Sequence, residues 1–345
     1  MIRPRFNYFL AALLAGTAWL AQAADTEATR AAFLKIVDRP RVPLAPELSE
    51  QPAEGDYAVT RFTYASDADS RVPGILLKKS GGAEKRPVVI VCHGTSGTKN
   101  QQKGLLKQFC AAGFIGVAID GRYHGERCKA GSGDVEYCEA IHRAYMSGKG
   151  HPLYYDTVWD LMRLIDYLET RPDVDAKRIG IMGFSKGGIE TFLLSGVDAR
   201  IAVAVPCIGV QSFKWGLENG GWKARIGTVQ KAINAIAKDE GSEINVEFAR
   251  KFYDKLLPRI YSTFDGPSML ACIAPRPLMV INGDTDKNTP VPGILEAAEA
   301  AKAAYKAANA DDRFVLTIQE KTGHTVNPDQ IKAAIAWFVK WLAPQ

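Results

Sequence analysis

From residue 57 onward the spacing of apolar positions changes along the chain, and each change marks a different kind of element. "YAVTRFTYAS" and "RVPGILLKK" read as two antiparallel edge strands joined by a short polar turn, Asp67 to Ser70. Beyond them come short unbroken apolar runs: "RPVVIVCH" (86–93), "FIGVAID" (114–120), "RIGIMGF" (178–184), "IAVAVPCI" (201–208) and "PLMVIN" (277–282). A run without a polar face suits a strand covered on both sides, as in a parallel sheet. Helical spacing fills the intervals. Val158, Leu161, Ile165 and Leu168 repeat along one helix face within 154–169, and the Ala-rich stretch 294–309 predicts another helix. Near the end Asn327 can cap, Pro328 can take the first helical position, and Ile331, Ile335, Phe338 and Leu342 form one stripe. Strands alternating with helices predict an α/β fold on a doubly wound, mostly parallel sheet with antiparallel N-terminal strands.

Two intervals break this rhythm. Val210 to about Leu270 has helical character and no convincing strand, and predicts a helical insertion above the sheet, ahead of the strand at 277–282. Its Trp215 and Trp222 are expected to shape an acyl or leaving-group pocket. Residues 24–55 are polar and dotted with proline, and read as an N-terminal arm before a domain spanning 56–345.

The first 23 residues are of another kind. Arg3 and Arg5 precede an apolar run from Phe9 to Leu20, and Ala21-Gln22-Ala23 ends it with small residues at cleavage positions. That order predicts a secretory signal peptide, and hence a periplasmic or secreted protein. The run is shorter than the roughly 20 residues that span a bilayer. Its removal takes two arginines and no acidic residue, lowering the formal charge from +5 to +3. So small a charge, without basic runs, gives no case for nucleic acid or an anionic membrane as partner. In an oxidising compartment Cys128 and Cys138, which flank a Gly-rich loop, are the best placed of six cysteines for a disulfide. The five histidines show no metal-ligand spacing, so neither metal nor cofactor is expected.

Candidate chemistry centres on Gly183-Phe184-Ser185-Lys186-Gly187, a G-x-S-x-G where an apolar strand runs into a helix. A serine on so sharp a turn projects its Oγ from the sheet, and flanking glycines avoid clashes that a Cβ would make. Serine needs a base oriented by a carboxylate. With the partners in the order serine, acid, histidine, only His324 lies downstream, in a loop between the last strand, "RFVLTIQ", and the capped final helix. The acid should lie in "PLMVINGDTDKNTP", which offers Asp284 and Asp286 without deciding between them. Two backbone N–H groups are candidates for an oxyanion hole: Lys186, next to the nucleophile, and Thr95, in the turn His93 to Gly97. His93, upstream of Ser185, is expected to brace that turn. Tyr123 and His124 are expected in a structural turn held by Asp120 rather than along a pocket.

With these residues in place the chain resembles the α/β-hydrolase superfamily from about residue 56 to the end, apart from the insertion. "HGTSGTKN", "GFSKGG" and "IAPRPLMVINGDTD" are similar to the dienelactone-hydrolase-like and acetyl-xylan-esterase-like branch. The resemblance implies an acid at the end of G-x-x-D, hence Asp286, and an oxyanion donor after His-Gly, hence Thr95. Dienelactone hydrolases use a cysteine nucleophile, so that activity does not carry over to Ser185. What is implied is a serine esterase acting on a small-molecule ester. A peptidase or amidase on the same fold, or a binding protein without turnover, are the rival readings.

Overall fold

The computed structural model describes residues 26–81, 84–129 and 133–343. The expected signal peptide, 1–23, lies outside them. Helix α1 (26–37) comes first, followed by strands β1 (Glu47–Glu54), β2 (Tyr57–Asp67), β3 (Ser70–Lys79) and β4 (Arg86–Cys92). Helix α2 (Lys103–Ala111), strand β5 (Ile115–Ile119), helices α3 (Gly133–Ser147) and α4 (Tyr155–Glu169), and strand β6 (Val174–Phe184) succeed them. Helix α5 (Lys186–Val197) leads to strand β7 (Ile201–Cys207). The insertion is five helices: α6 (Phe213–Glu218), α7 (Trp222–Gly227), α8 (Gln230–Glu240), α9 (Val246–Leu256) and α10 (Gly266–Ala271). Strand β8 (Leu278–Gly283), helix α11 (Val291–Ala307), strand β9 (Phe314–Gln319) and helix α12 (Pro328–Leu342) follow among the described residues.

The nine strands form one sheet in the order β1-β2-β3-β5-β4-β6-β7-β8-β9. Pairs from β5 to β9 are parallel, and β1, β2 and β3 add antiparallel strands at one edge. The apolar runs are the parallel strands, buried on both faces as their composition demands. Side-chain alternation divides them between two cores: Val88 and Ile90 of β4 face the layer with α4 and α5, while Val89 and Val91 face α2 and α12.

The polar stretch before residue 57 is more structured than its composition indicates. Glu47–Glu54 is the outermost strand, so the sequence-expected edge strand β2 is paired on both sides. Its polar pattern fits an edge exposed on both faces. Helix α1 inserts Phe33 edge-on against Tyr155 at 4.9 Å between ring centres. At α12 Asn327 takes the N-cap position and Pro328 starts the helix as expected, but the Asn327 side chain makes no capping bond and donates instead to Thr322 Oγ1 at 3.2 Å. The expected disulfide is also absent. Cys138 is a free thiol, so no bridge joins it to Cys128. Among the described residues no helix is long and apolar enough to cross a membrane.

Candidate active site

Strand β6 ends at Phe184 and α5 begins at Lys186, leaving Ser185 to make the whole turn at φ 54°, ψ −113°. A non-glycine residue adopts a positive φ only under constraint. The constraint is backbone packing. Ser185 donates its N–H to Cys207 O at 3.0 Å and accepts from Ile189 N at 3.0 Å. A Cβ on Gly183 would stand 2.2 Å from the carbonyl oxygen of Gly187, and one on Gly187 would stand 2.5 Å from that of Cys92. Both glycines of the motif are therefore required by closeness.

His324 joins the strand ends from the loop after β9. Its Nε2 lies 2.7 Å from Ser185 Oγ and its Nδ1 lies 2.7 Å from Asp286 Oδ2. The imidazole is partly open to solvent, whereas Asp286 is buried. Asp286 Oδ2 also accepts from Thr289 Oγ1 at 2.6 Å, and Oδ1 accepts the Asn288 N–H at 2.8 Å. Burial pushes the Asp286 carboxyl up, but the hydrogen bonds from His324, Thr289 and Asn288 outweigh it and hold the group below the usual carboxylate range.

Asp284, the alternative acid, does different work. It is exposed and accepts the N–H groups of Lys321 and Thr322 at 2.8 and 2.9 Å. It thereby ties the loop after β8 to the loop that carries His324. These backbone donors hold its pKa below the ordinary value.

The turn after β4 comes to the other side of Ser185. A Cβ placed on Gly94 would be 3.5 Å from that of Ser185. Gly94 O accepts from Gly97 N at 3.0 Å and from Nδ1 of buried His93 at 2.7 Å, while His93 Nε2 accepts the Gly121 N–H at 3.0 Å. His93 is thus a neutral brace, its pKa lowered to about 4 by burial and then by the Lys186 charge. A carbonyl fixed inward by two donors turns the N–H of the same trans peptide, that of Thr95, the opposite way. Lys186 stands at the first turn of α5 with its N–H unclaimed by the helix. Its side chain is buried against Glu190 at 2.5 Å.

The loop after β5 is built inward. Asp120 accepts from Lys99 N at 2.8 Å, Lys99 Nζ at 2.6 Å and Glu126 N at 3.0 Å. His124 is buried against Tyr137 at 4.6 Å between ring centres. Tyr123 borders a cavity of about 460 Å³ with Arg71 and Arg122. Trp222 is packed in the core, leaving Trp215 alone of the two tryptophans beside a cavity of about 510 Å³ that Asp286 also lines. Missed by the sequence reading were Thr289, Gln211 and Arg225, which support the Asp286 loop. Thr289, three residues past the acid, carried a local signal as a turn hydroxyl. Among the described residues no three His, Cys, Asp or Glu side chains gather as a metal site.

A hydroxyl, an imidazole and a buried carboxylate in one hydrogen-bonded row can run acyl transfer. Comparison with known proteins places the chain among ester hydrolases. The family model described as glucuronyl esterase, fungi, matches residues 77–309, which include Ser185 and Asp286. YtaP of Bacillus subtilis (strain 168), assigned as a hydrolase, is 23% identical over 282 residues, covering 81% of this chain and 82% of that protein. Acetyl xylan esterase 1 from Thermoanaerobacterium sp. JW/SL YS485 superposes with a TM-score of 0.67 at 17% identity, over 92% of this chain and 94% of that one. A glucuronoyl esterase from Solibacter usitatus gives 0.59 at 16% identity, over 91% and 92%. The shared architecture is the α/β-hydrolase fold.

Proposed function

This chain belongs to the glucuronyl esterase family, and so to the carboxylic-ester hydrolases; from that premise we propose that it works through a Ser185–His324–Asp286 triad and an acyl-enzyme. Ser185 Oγ attacks the acyl carbon as His324 Nε2 takes its proton. Asp286 holds the imidazole in the tautomer and orientation this requires. The N–H groups of Thr95 and Lys186 stabilise the oxyanion, each contributing about 3 kcal/mol. His324 then protonates the departing alcohol, and water activated by the same imidazole releases the acid. The observation that carries this reading is the unbroken row from Ser185 Oγ to Asp286 Oδ2 through two 2.7 Å contacts.

For substrate, the reading is an ester borne by a carbohydrate. The matched family is named for glucuronyl esterase, and acetyl xylan esterases and a glucuronoyl esterase are among the similar structures. The cavity beside the site pairs Trp215, a face for a sugar ring, with the polar side chains of Asn219, Lys223 and Asp284. The same reading places the mature protein in the periplasm or outside the cell, on the pattern of residues 1–23. A panel of p-nitrophenyl acetate, acetylated xylose and methyl glucuronate tests it, with Ser185→Ala alongside. Turnover that vanishes in the variant supports the nucleophile; undiminished turnover removes it. N-terminal sequencing of the exported protein tests the processing site.

A further inference from the structure

The loop that carries Asp286 hangs from the helical insertion. Asp286 Oδ1 accepts the N–H of Asn288 at 2.8 Å. The carbonyl of Asn288 accepts Nη2 of Arg225, on α7, at 2.7 Å. Gln211, where the chain leaves β7 for the insertion, completes the grip. The network sets its amide so that the nitrogen donates to that same carbonyl at 2.9 Å and the oxygen accepts Nε of Arg225 at 3.0 Å. Asn288 is therefore held through both backbone groups, by the carboxylate on one side and by two distant side chains on the other.

Arg225 is an unusual residue to spend on such a contact. It is 4% exposed, and its partners are neutral: the Asn288 carbonyl, the Gln211 amide oxygen and the Tyr154 phenol. Among the described residues it forms no ion pair. A cation drawn out of water recovers only part of its hydration from neutral acceptors, and an apolar side chain would fill the space at lower cost. What an apolar residue could not supply is a rigid fork of donors aimed at two acceptors.

We propose that Arg225, assisted by Gln211, is a positioning residue for the acid: by gripping the Asn288 carbonyl it fixes the residue whose N–H holds the Asp286 carboxylate where His324 Nδ1 meets it. The insertion is then part of the catalytic apparatus as well as a wall of the cleft. With Asn288 free to rotate, Oδ1 loses its donor and the carboxylate turns away from the imidazole. The inference rests on Asp286 being the catalytic acid.

The test uses the full mature protein and a short-chain p-nitrophenyl ester. Arg225→Met keeps the stem and loses the donors. Expected are a fall in kcat of about ten- to a hundredfold, a KM within about twofold, and a broadened or lost downfield Nδ1 proton resonance of His324. Arg225→Lys restores one donor and should recover much of kcat together with the resonance. A residue that only packs the insertion would lower Tm and raise KM, leaving kcat and the resonance unmoved. That result overturns the proposal, as does a fall in kcat with the resonance intact. If Arg225→Met does not fold, Arg225→Lys and Gln211→Leu decide by the same two readouts. An active Ser185→Ala would remove the triad itself, whereas an inactive one beside an unaffected Arg225→Met would remove this inference alone.

Discussion

Around Ser185 the chain is held by its own backbone, while around Asp286 it is held by side chains arriving from elsewhere. The elbow needs glycine at 183 and 187 because carbonyl oxygens of neighbouring segments already occupy the space of a Cβ. At the acid loop the squeeze falls on Gly283, where a Cβ would stand 2.2 Å from Thr322 O, and Asp286 lies three residues beyond it. Its carboxylate instead collects Thr289, the Asn288 N–H and His324, and Arg225 and Gln211 secure Asn288 in turn. Backbone packing fixes the proposed nucleophile in its positive-φ conformation. Hydrogen bonds fix an acid that only has to point the right way, and they leave that half of the site open to adjustment by the insertion.

The comparison is tested most severely by removing each functional group and reading activity and stability together. Ser185→Ala should lose on the order of 10⁶ in kcat, with a melting temperature close to the parent's, because the elbow does not depend on the hydroxyl. Asp286→Asn should lose about 10⁴ and also melt lower, since the carboxylate anchors its own loop. Calorimetry on both variants decides the matter. Equal losses of melting temperature would mean that the two halves are not held by different means.

That difference also explains which parts of the molecule could be read from the amino-acid string. The elbow is local and sterically exacting, so its glycines and serine appear as one five-residue motif. The parallel strands were legible because burial on both faces leaves no polar positions. His324 was legible by scarcity, as the one histidine after Ser185. Asp284 and Asp286 were not separable by local chemistry, because both sit in one turn and only the fold shows that one faces His324 and the other ties two loops. Arg225 was invisible, since its contact with Asn288 spans 63 positions and leaves no periodic trace. The strand at 47–54 was missed for a related reason. An edge strand exposed on both faces has no apolar pattern, and its pairing with β2 is a property of the sheet.

On the backbone-held side, pH offers a sharper test. Burial, with the Lys186 charge, lowers the His93 pKa to about 4 from its ordinary 6.5. The unfolded chain therefore takes up a proton near pH 6.5 that the folded chain refuses until about pH 4. Stability from this group is complete above 6.5 and falls on acidification through that window, by up to about 3 kcal/mol. His93→Asn keeps a side-chain donor near Gly94 O but does not titrate, so its melting temperature should fall less steeply between pH 6.5 and 4. Buried His124 contributes in the same direction, which reduces the contrast without cancelling it. Parallel melting curves for variant and parent would show that His93 carries no such linkage, and that the turn after β4 is held by other contacts.

The smallest effect belongs to the side held by side chains, and it asks whether one such contact matters alone. Thr289 is fully buried and gives its hydroxyl to the Asp286 oxygen that also receives His324, at 2.6 Å. Thr289→Val keeps the shape and removes the donor. A hydrogen bond to a charged acceptor is worth about 1.5–3 kcal/mol, but Asp286 retains its bonds to Asn288 N–H and His324, so kcat should fall only about tenfold. The remaining carboxylate, less stabilised in its charged form, should also titrate higher than in the parent. Thr289→Ser returns the hydroxyl and should restore both. If the valine variant matched the parent in rate and in the titration of Asp286, the Asn288 peptide and its clamp would be sufficient to hold the acid, and the weight of that half of the site would move to the insertion.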